Sequence, residues 1–193
     1  MNAPRDYDMT RRSAQAEQTR SAILVALIEL AAELPLAAVT LPRIAERAAV
    51  TVQTVLRNFG SRDGLFESAV EFGQSAVIAE RTIDADDLDA SLAALIDHYE
   101  RTSAQTLLLL AQESWEPLAA RITSNGKALH REWVEQLFAR SLAATADPEE
   151  ATDLLVVATD LYTYSLLRRD RGLSRDETLR RMRRLVSAVL DTL

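Results

Sequence analysis

The chain has 193 residues, of which 48% are apolar and 26% charged. This composition is typical of a globular protein with a proper core and excludes a disordered chain. Cysteine is absent, which excludes disulfide bonds, thiolate metal ligands and cysteine nucleophiles. The N-terminus is polar and no apolar run approaches the ~18 residues of a membrane span, so we expect a cytoplasmic protein without membrane contact.

The charge is distributed unevenly along the chain. From Met1 to Arg62, eight arginines stand against six acidic residues, whereas the remainder carries most of the net charge of −7. An acidic body repels DNA phosphates. Any contact with DNA is therefore expected in the first third of the chain.

Glycine and proline are scarce, which favours helices, and we predict an all-α fold of about nine helices. After a flexible arm through about Ser13, a first helix is predicted from Ala14 to Glu33. Two short helices follow, at Thr40–Ala48 and Thr51–Asn58, each begun by a threonine cap. Ser61 is expected to cap a longer helix. The arm carries Arg5, Arg11 and Arg12, which either enter a minor groove or only keep the chain soluble.

The rest of the chain predicts a further series of helices. Their expected ranges are about 87–101, 104–115, 117–123, 127–144, 148–169 and 174–190. Asn125-Gly126 is expected to break the chain, and Asp147-Pro148 is a strong helix start. Gly172 is expected to end one helix, and Ser174 with Glu177 forms a capping box for the last.

The two short helices have the dimensions of a helix-turn-helix. Along the second, the apolar residues fall on one side, where they can lock the helix to its neighbours: Val52, Val55, Leu56 and Phe59. The opposite side offers donors and acceptors of the kind that reach bases and phosphates in a major groove: Gln53, Thr54, Arg57 and Asn58.

In this region the sequence resembles the tetracycline-repressor (TetR) family. The resemblance spans about Arg20 to Leu65 and includes Arg20-x-x-Ile23-Leu24, Val39-Thr40-Leu41, the run from Ala48 to Phe59, and Ser61-Arg62-Asp63-Gly64-Leu65. It implies a homodimer with paired DNA-reading heads and ligand-binding bodies. Residues 1–62 would then form the arm and DNA-binding domain, and 63–193 the ligand-binding and dimerisation domain.

The sequence departs from the usual family pattern at four positions: Ala49 replaces a turn glycine, Leu56 a tyrosine, Asn58 a histidine and Arg62 a lysine. Leu56 lacks a hydroxyl that typically touches phosphate, so DNA affinity or sequence preference is open to change. Ala49 requires either a turn without positive φ or some backbone strain.

The resemblance implies roles for individual residues. Thr40 and Arg62 would anchor phosphates at helix N-termini, with Arg43 as a further DNA contact. Gln53, Thr54 and Arg57 are the candidates for reading bases, and Thr51 and Asn58 for contacting the backbone.

The last two predicted helices are candidates for a dimer interface. The 148–169 helix is apolar nearly all round, so it must be covered on both sides. A four-helix packing across a two-fold axis would cover it, although a monomeric core of the same helices remains an alternative. The proposed interface residues are Leu154, Leu161, Leu179, Met182, Leu185, Val186 and Val189.

A ligand pocket is expected where large side chains combine apolar area with a polar handle. The candidates are Tyr99, Gln112, Glu113, Trp115, Trp133 and Tyr162, each of which is also compatible with ordinary core or rim. His98 and His130 lack metal-type spacing, and structural roles are expected for both. No metal site or cofactor is expected.

The sequence thus favours a regulator that binds double-stranded operator DNA as a homodimer and is released by a small apolar or amphipathic effector. A protein-interaction module with the same fold but without specific DNA binding is the main alternative. A helical enzyme is disfavoured because no phosphate loop, thiol or catalytic grouping is present.

Overall fold

The computed structural model describes residues 4–81 and 83–193, with side chains from Ser13 onward within those ranges. These residues form helices and turns, with no strand among them, as predicted. No helix in this part of the chain is long and apolar enough to cross a bilayer. The chain divides into two compact units, unit 1 (Met1–Ser75) and unit 2 (Ala76–Leu193). The functional division proposed after Arg62 remains a prediction.

Unit 1 is built from three helices and the first part of a fourth. They are α1 (Pro4–Glu33), α2 (Leu41–Arg47), α3 (Val52–Phe59) and α4 (Arg62–Glu80), with a 3-10 turn at Leu36–Ala38. Apolar residues from all four helices fill its core: Ile23, Leu27, Leu30, Ile44, Val55, Leu65 and Phe66. The predicted pair of short helices is therefore present, packed between α1 and α4.

The prediction of a flexible arm through about Ser13 was wrong. α1 begins at Pro4 rather than at Ala14, so the arm is helical from Pro4 onward. A proline is tolerated in the first turn of a helix, and no later glycine or proline interrupts the segment. The side chains of Arg5, Arg11 and Arg12 lie outside the described residues.

Unit 2 contains six further helices around one core. They are α5 (Leu88–Leu110), α6 (Pro117–Leu137), α7 (Ala139–Leu142), α8 (Pro148–Thr159), α9 (Leu161–Ser165) and α10 (Arg175–Leu190). α5 packs against α6 and α10, and α8 packs against α6 and α10. Their inward side chains include Leu95, Ile96, Val134, Leu155, Met182 and Val186.

Two predicted interruptions are absent. The stretch between the predicted helices 87–101 and 104–115 is continuous helix in α5, where the Thr102 hydroxyl donates to the His98 carbonyl (2.9 Å). That bond satisfies the hydroxyl within the helix. Asn125-Gly126 lies inside α6, and α6 buries one face against its neighbours on both sides of this pair. Packing of that face outweighs the weak helix propensity of the pair.

Two breaks were not predicted, and the first lies at Phe138, between α6 and α7, inside the helix expected over 127–144. The single helix expected over 148–169 is divided at Asp160, whose backbone is extended (ψ 156°) and whose carboxylate accepts from the Tyr162 N–H (2.7 Å). After α9 the chain continues in a π-helical turn, Leu166–Asp170. The helix start at Asp147, the left-handed Gly172 (φ 65°) and the capping box of Ser174 with Glu177 are confirmed.

Candidate DNA-binding surface and ligand-binding unit

The turn between α2 and α3 has a defined hydrogen-bond pattern. The Val50 N–H donates to the Ala45 carbonyl (2.9 Å), and the Ala49 N–H donates to the Glu46 carbonyl (3.1 Å). These are the two bonds of a Schellman motif, which places Ala49 at the position that glycine usually takes. Ala49 is left-handed (φ 54°), and it is the one non-glycine residue with positive φ in the described chain. Of the two alternatives predicted for Ala49, a turn without positive φ or a strained backbone, the structure therefore has the strained backbone.

The apolar side of α3 packs against the core of unit 1, so its polar side faces outward. Val55 is fully buried, and Thr51 caps the helix by accepting from the Thr54 N–H (3.1 Å). Gln53 and Arg57 are exposed, and neither side chain has a hydrogen bond or ion pair with the described residues. These two side chains are free to meet a ligand outside the unit.

The other polar residues of α3 are partly engaged within the helix. The Asn58 amide donates to the Thr54 carbonyl (2.8 Å), and the hydroxyls of Thr51 and Thr54 lie 3.0 Å apart. Thr54 and Asn58 are half-buried. They have less freedom to rearrange toward DNA than Gln53 and Arg57.

The three remaining predicted DNA contacts lie at helix starts. Thr40 is exposed at the N-cap of α2, and its side chain makes no capping bond. Arg43 is exposed and donates to the Ala38 carbonyl (3.2 Å). Arg62 is exposed in the first turn of α4, with its guanidinium 4.3 Å from the centroid of the Phe66 ring. Free backbone N–H groups at both helix starts attract anions.

Two residues quoted for the sequence pattern have supporting roles that the pattern did not reveal. Arg20 on α1 donates to the Asn58 carbonyl and to the Ser68 hydroxyl (both 3.0 Å), and its guanidinium lies 4.3 Å from the Phe59 ring centroid. Arg20 thus ties the end of α3 to α1 and α4. At Gly64, an added Cβ would stand 2.5 Å from the Phe59 carbonyl oxygen. Glycine permits this close approach of α4 to the end of α3.

The predicted interface residues divide into two groups. Leu161, Met182 and Val186 are buried in the core of unit 2, so they are unavailable to a partner in this conformation. Leu179 and Val189 are half-buried against that core. Sequence periodicity identified the apolar stripe of α10 but not which part of it faces the core of its own chain.

An apolar face remains open on the C-terminal helices. It consists of Leu154 and Val157 on α8, Tyr162 on α9, Leu166 on the π turn and Leu185 on α10. These five side chains are between 45% and 64% exposed. We call this set the α8–α10 face. It includes two residues of the predicted interface, Leu154 and Leu185.

The predicted ligand residues do not form one pocket. Tyr99, Gln112 and Trp133 are buried, whereas Trp115 is 69% and Tyr162 57% exposed. Gln112, in the turn that follows α5, donates to the Leu108 carbonyl (2.7 Å). Glu113 accepts from the Thr123 hydroxyl (2.9 Å) and from Lys127 (2.8 Å) at the surface. Only Tyr99 and Trp133 share the central core.

An open groove of about 620 Å³ runs between α6 and the α8–α9 region. Its lining consists of Lys127, Ala128, Arg131, Val156, Val157, Asp160, Tyr162 and Thr163. Tyr162 is the one predicted ligand residue in this lining. The groove also contains two residues of the α8–α10 face, so a partner covering that face would alter it.

Tyr99 and Trp133 belong to a polar network inside the core of unit 2. The Tyr99 hydroxyl donates to the Thr159 carbonyl (3.1 Å). The Thr159 hydroxyl lies 3.1 Å from His130 Nε2, and the His130 ring stacks on Trp133 with centroids 5.9 Å apart. Burial, together with the positive charge of Arg81, lowers the pKa of His130 to about 4. His130 is therefore neutral at neutral pH.

His98 occupies a second structural position in unit 2. Its Nδ1 lies 2.8 Å from a Glu80 carboxylate oxygen, which also accepts from Arg101 (3.0 Å). Burial and the charge of Arg81 lower the pKa of His98 despite the opposing effect of Glu80. No group of three or more His, Cys, Asp or Glu side chains that could hold a metal ion occurs in residues 4–81 and 83–193.

The chain was compared with known families, sequences and structures. Residues 23–69 match the family of bacterial regulatory proteins of the tetR type. No curated protein sequence matches the chain. The match covers α2, α3 and parts of α1 and α4, which is the region built above from its caps and buried faces.

Solved structures share the fold along most of the chain. A TetR-family transcriptional regulator from Rhodococcus sp. is 18% identical with a TM-score of 0.69, covering 90% of this chain and 99% of its own. A transcriptional regulator from Rhodococcus sp. Rha1 is 18% identical with a TM-score of 0.65, covering 90% and 96%. A transcriptional regulator from Pseudomonas aeruginosa PAO1 is 17% identical with a TM-score of 0.67, covering 91% of each chain. The helix-turn-helix region of the chain therefore matches the tetR family of bacterial regulatory proteins, and most of the chain shares the fold of these solved transcriptional regulators.

Proposed function

We propose that the protein is a homodimeric repressor in the cytoplasm that binds operator DNA through α2, α3 and the start of α4 and is released by a small effector. The DNA-binding part of this proposal rests on the exposed polar side of α3. Gln53 and Arg57 stand exposed and unpaired on a helix whose opposite side is buried and whose start is capped. A major groove admits such a helix, and guanidinium and amide groups are the donors that read base edges.

The dimer is supported by the α8–α10 face. Val157 is 64% exposed and Tyr162 57%, and they lie with three further apolar side chains on adjoining helices. Contiguous exposed apolar area of this kind marks an interaction site. A second copy related by a two-fold axis would cover it with the same face. A dimer also duplicates α3, as the reading of a two-part operator requires.

The DNA-binding proposal is tested by measuring affinity for the DNA upstream of the chain's own gene and for scrambled DNA of equal length. The wild-type protein should prefer the upstream DNA at physiological salt. Arg57→Ala should weaken binding to the preferred sequence by about 1–3 kcal/mol and reduce the preference, if Arg57 makes a bidentate base contact. Arg140→Ala is the matched control, since it removes an exposed arginine on α7 whose partner Asp86 is also exposed.

The outcomes separate the candidate functions. Equal weakening on both DNAs would restrict Arg57 to phosphate contact. Weak binding that is abolished by moderate salt and shows no preference would instead favour an interaction module without specific DNA binding. Loss of binding by Arg140→Ala as well would move the DNA surface away from α3.

The dimer is tested by light scattering coupled to size-exclusion chromatography. Val157→Glu places a charge in the α8–α10 face and should yield monomers with weakened operator binding. Ile78→Glu on α4 is the control, because Ile78 is 62% exposed and lies outside that face. A dimeric Val157→Glu protein would remove the face from the interface.

A further inference from the structure

Arg81 is half-buried, and two of its three guanidinium nitrogens have no partner in the chain. Its Nε and Nη1 atoms are out of contact with solvent and have no hydrogen-bond partner. None of the ion pairs among the described residues involves Arg81. Glu80 is occupied by His98 and Arg101, and Asp160 by the cap of α9. A guanidinium has five N–H donors, so burying two of its nitrogens without acceptors is unfavourable.

The Arg81 side chain lies against the polar network described above. Its guanidinium is 5.5 Å from the centroid of the Tyr99 ring. Tyr99 contacts Thr159, Thr159 contacts His130, and His130 stacks on Trp133. The indole Nε1 of Trp133 and Nδ1 of His130 are also buried without a partner. One connected group of side chains in unit 2 therefore contains several buried polar atoms that lack partners.

The character of these atoms indicates the chemistry that would complete them. The guanidinium and the indole N–H are donors only, so they require acceptor atoms. Both histidines have a lowered pKa and are neutral at neutral pH, which leaves Arg81 as the uncompensated charge of the group. An acceptor that is also an anion satisfies the donors and the charge together. The rings of Tyr99 and Trp133 provide apolar surface for the rest of such a molecule.

We infer that unit 2 binds an organic carboxylate, with Arg81 pairing its carboxylate and the aromatic side chains of Tyr99 and Trp133 contacting its apolar part. The identification of this molecule as the effector rests on the proposed function, whereas the binding of a carboxylate to unit 2 does not depend on it. Arg81 was not singled out by the sequence because an arginine at a helix end usually lies in solvent.

Trp133 provides a direct probe, because Trp115 is the only other tryptophan and is exposed. In a Trp115→Phe protein, fluorescence reports on Trp133 alone. Hexanoate and phenylacetate should change this signal in a saturable way and raise Tm with concentration. Hexanamide and phenylacetamide, which match them in shape without the charge, should have little effect. All titrations are made at constant ionic strength.

Arginine variants distinguish a specific ion pair between Arg81 and the carboxylate from general attraction of an anion by positive charge. Arg81→Gln should weaken carboxylate binding about tenfold or more. Arg140→Gln, which removes an exposed arginine on α7 whose partner Asp86 is also exposed, should leave binding unchanged. Arg81→Met should bind no carboxylate, yet in the free protein it should raise Tm, since it removes the two buried nitrogens that lack acceptors. Melting of each variant verifies that it is folded.

The inference is overturned if neither carboxylate alters Trp133 fluorescence or Tm, or if acid and amide act equally. It is also overturned if Arg81→Met responds like the wild type, or if this substitution lowers Tm, since Arg81 would then be paired within the chain or by water. DNA binding is measured separately. Operator binding without a carboxylate response refutes only this inference, whereas a carboxylate response without operator binding refutes only the proposed function.

Discussion

Substituting Ala49 by glycine should stabilise unit 1, although glycine usually weakens a fold. Ala49 holds a left-handed backbone (φ 54°) that costs an L-residue roughly 1–2 kcal/mol. Glycine removes this cost but loses about 0.5–1 kcal/mol more conformational entropy on folding. Ala49 is exposed, so its methyl group contributes little packing. The net expectation is a stabilisation of about 0.5–1 kcal/mol.

The neighbouring alanine provides a control of opposite sign. Ala48 is right-handed (φ −81°, ψ 0°) as the C-cap of α2, so Ala48→Gly gains no relief of strain. It should destabilise by about 0.5–1 kcal/mol. The two single substitutions are chemically identical but meet opposite backbone conformations, and Ala48 is in addition half-buried whereas Ala49 is exposed.

The assay is urea and thermal unfolding of the full chain, followed by far-ultraviolet circular dichroism. Both tryptophans lie in unit 2, so fluorescence alone would miss a change confined to unit 1. Ala49→Gly should raise the Tm of the unit 1 transition, by about 4–8 °C for each kcal/mol gained. A loss of stability equal to that of Ala48→Gly would refute the left-handed turn between α2 and α3.

Three further predictions concern close packing and buried groups. Gly64→Ala should destabilise unit 1 by about 1–3 kcal/mol, because the new Cβ meets the Phe59 carbonyl. Gly73→Ala has open space around it and should stabilise α4. Urea melts of the two variants test both expectations. Arg20→Ala should lower the free energy of unfolding by about 2 kcal/mol in the same assay and weaken operator binding, because α3 would be misplaced. An unfolding curve equal to that of the wild type would show that Arg20 does not hold α3 in place. The folded pKa of His130 lies below its unfolded value, so its contribution to stability is complete near neutral pH and is lost as the pH falls from about 6.5 to about 4. Between about pH 7 and about pH 5 the wild type should therefore lose about 2 kcal/mol more than His130→Gln, and equal losses in urea melts would show that His130 is not buried in its neutral form.

Local signals predicted the parts of the fold whose causes are local. The starts of α3, α8 and α10 follow from caps at Thr51, Asp147 and Ser174, each of which bonds within its own first turn. The division of α3 into an inward apolar and an outward polar side follows from its periodicity, because one side of so short a helix must be buried. The sequence alone therefore identifies Gln53 and Arg57 as exposed candidates.

Only the tertiary structure decided questions that depend on which distant residues meet. Periodicity placed Met182, Val186 and Leu185 on one stripe, but packing against α5 and α8 buries the first two and leaves Leu185 open. The predicted break at Asn125-Gly126 was wrong because the packing of whole helices overrides propensity at single positions. Arg81 acquires its significance from neighbours on α5, α6 and α8 that are far away in sequence. The chain by itself determined which segments are helical and which faces are apolar, whereas the burial of guanidinium nitrogens without acceptors arises only when separate helices assemble.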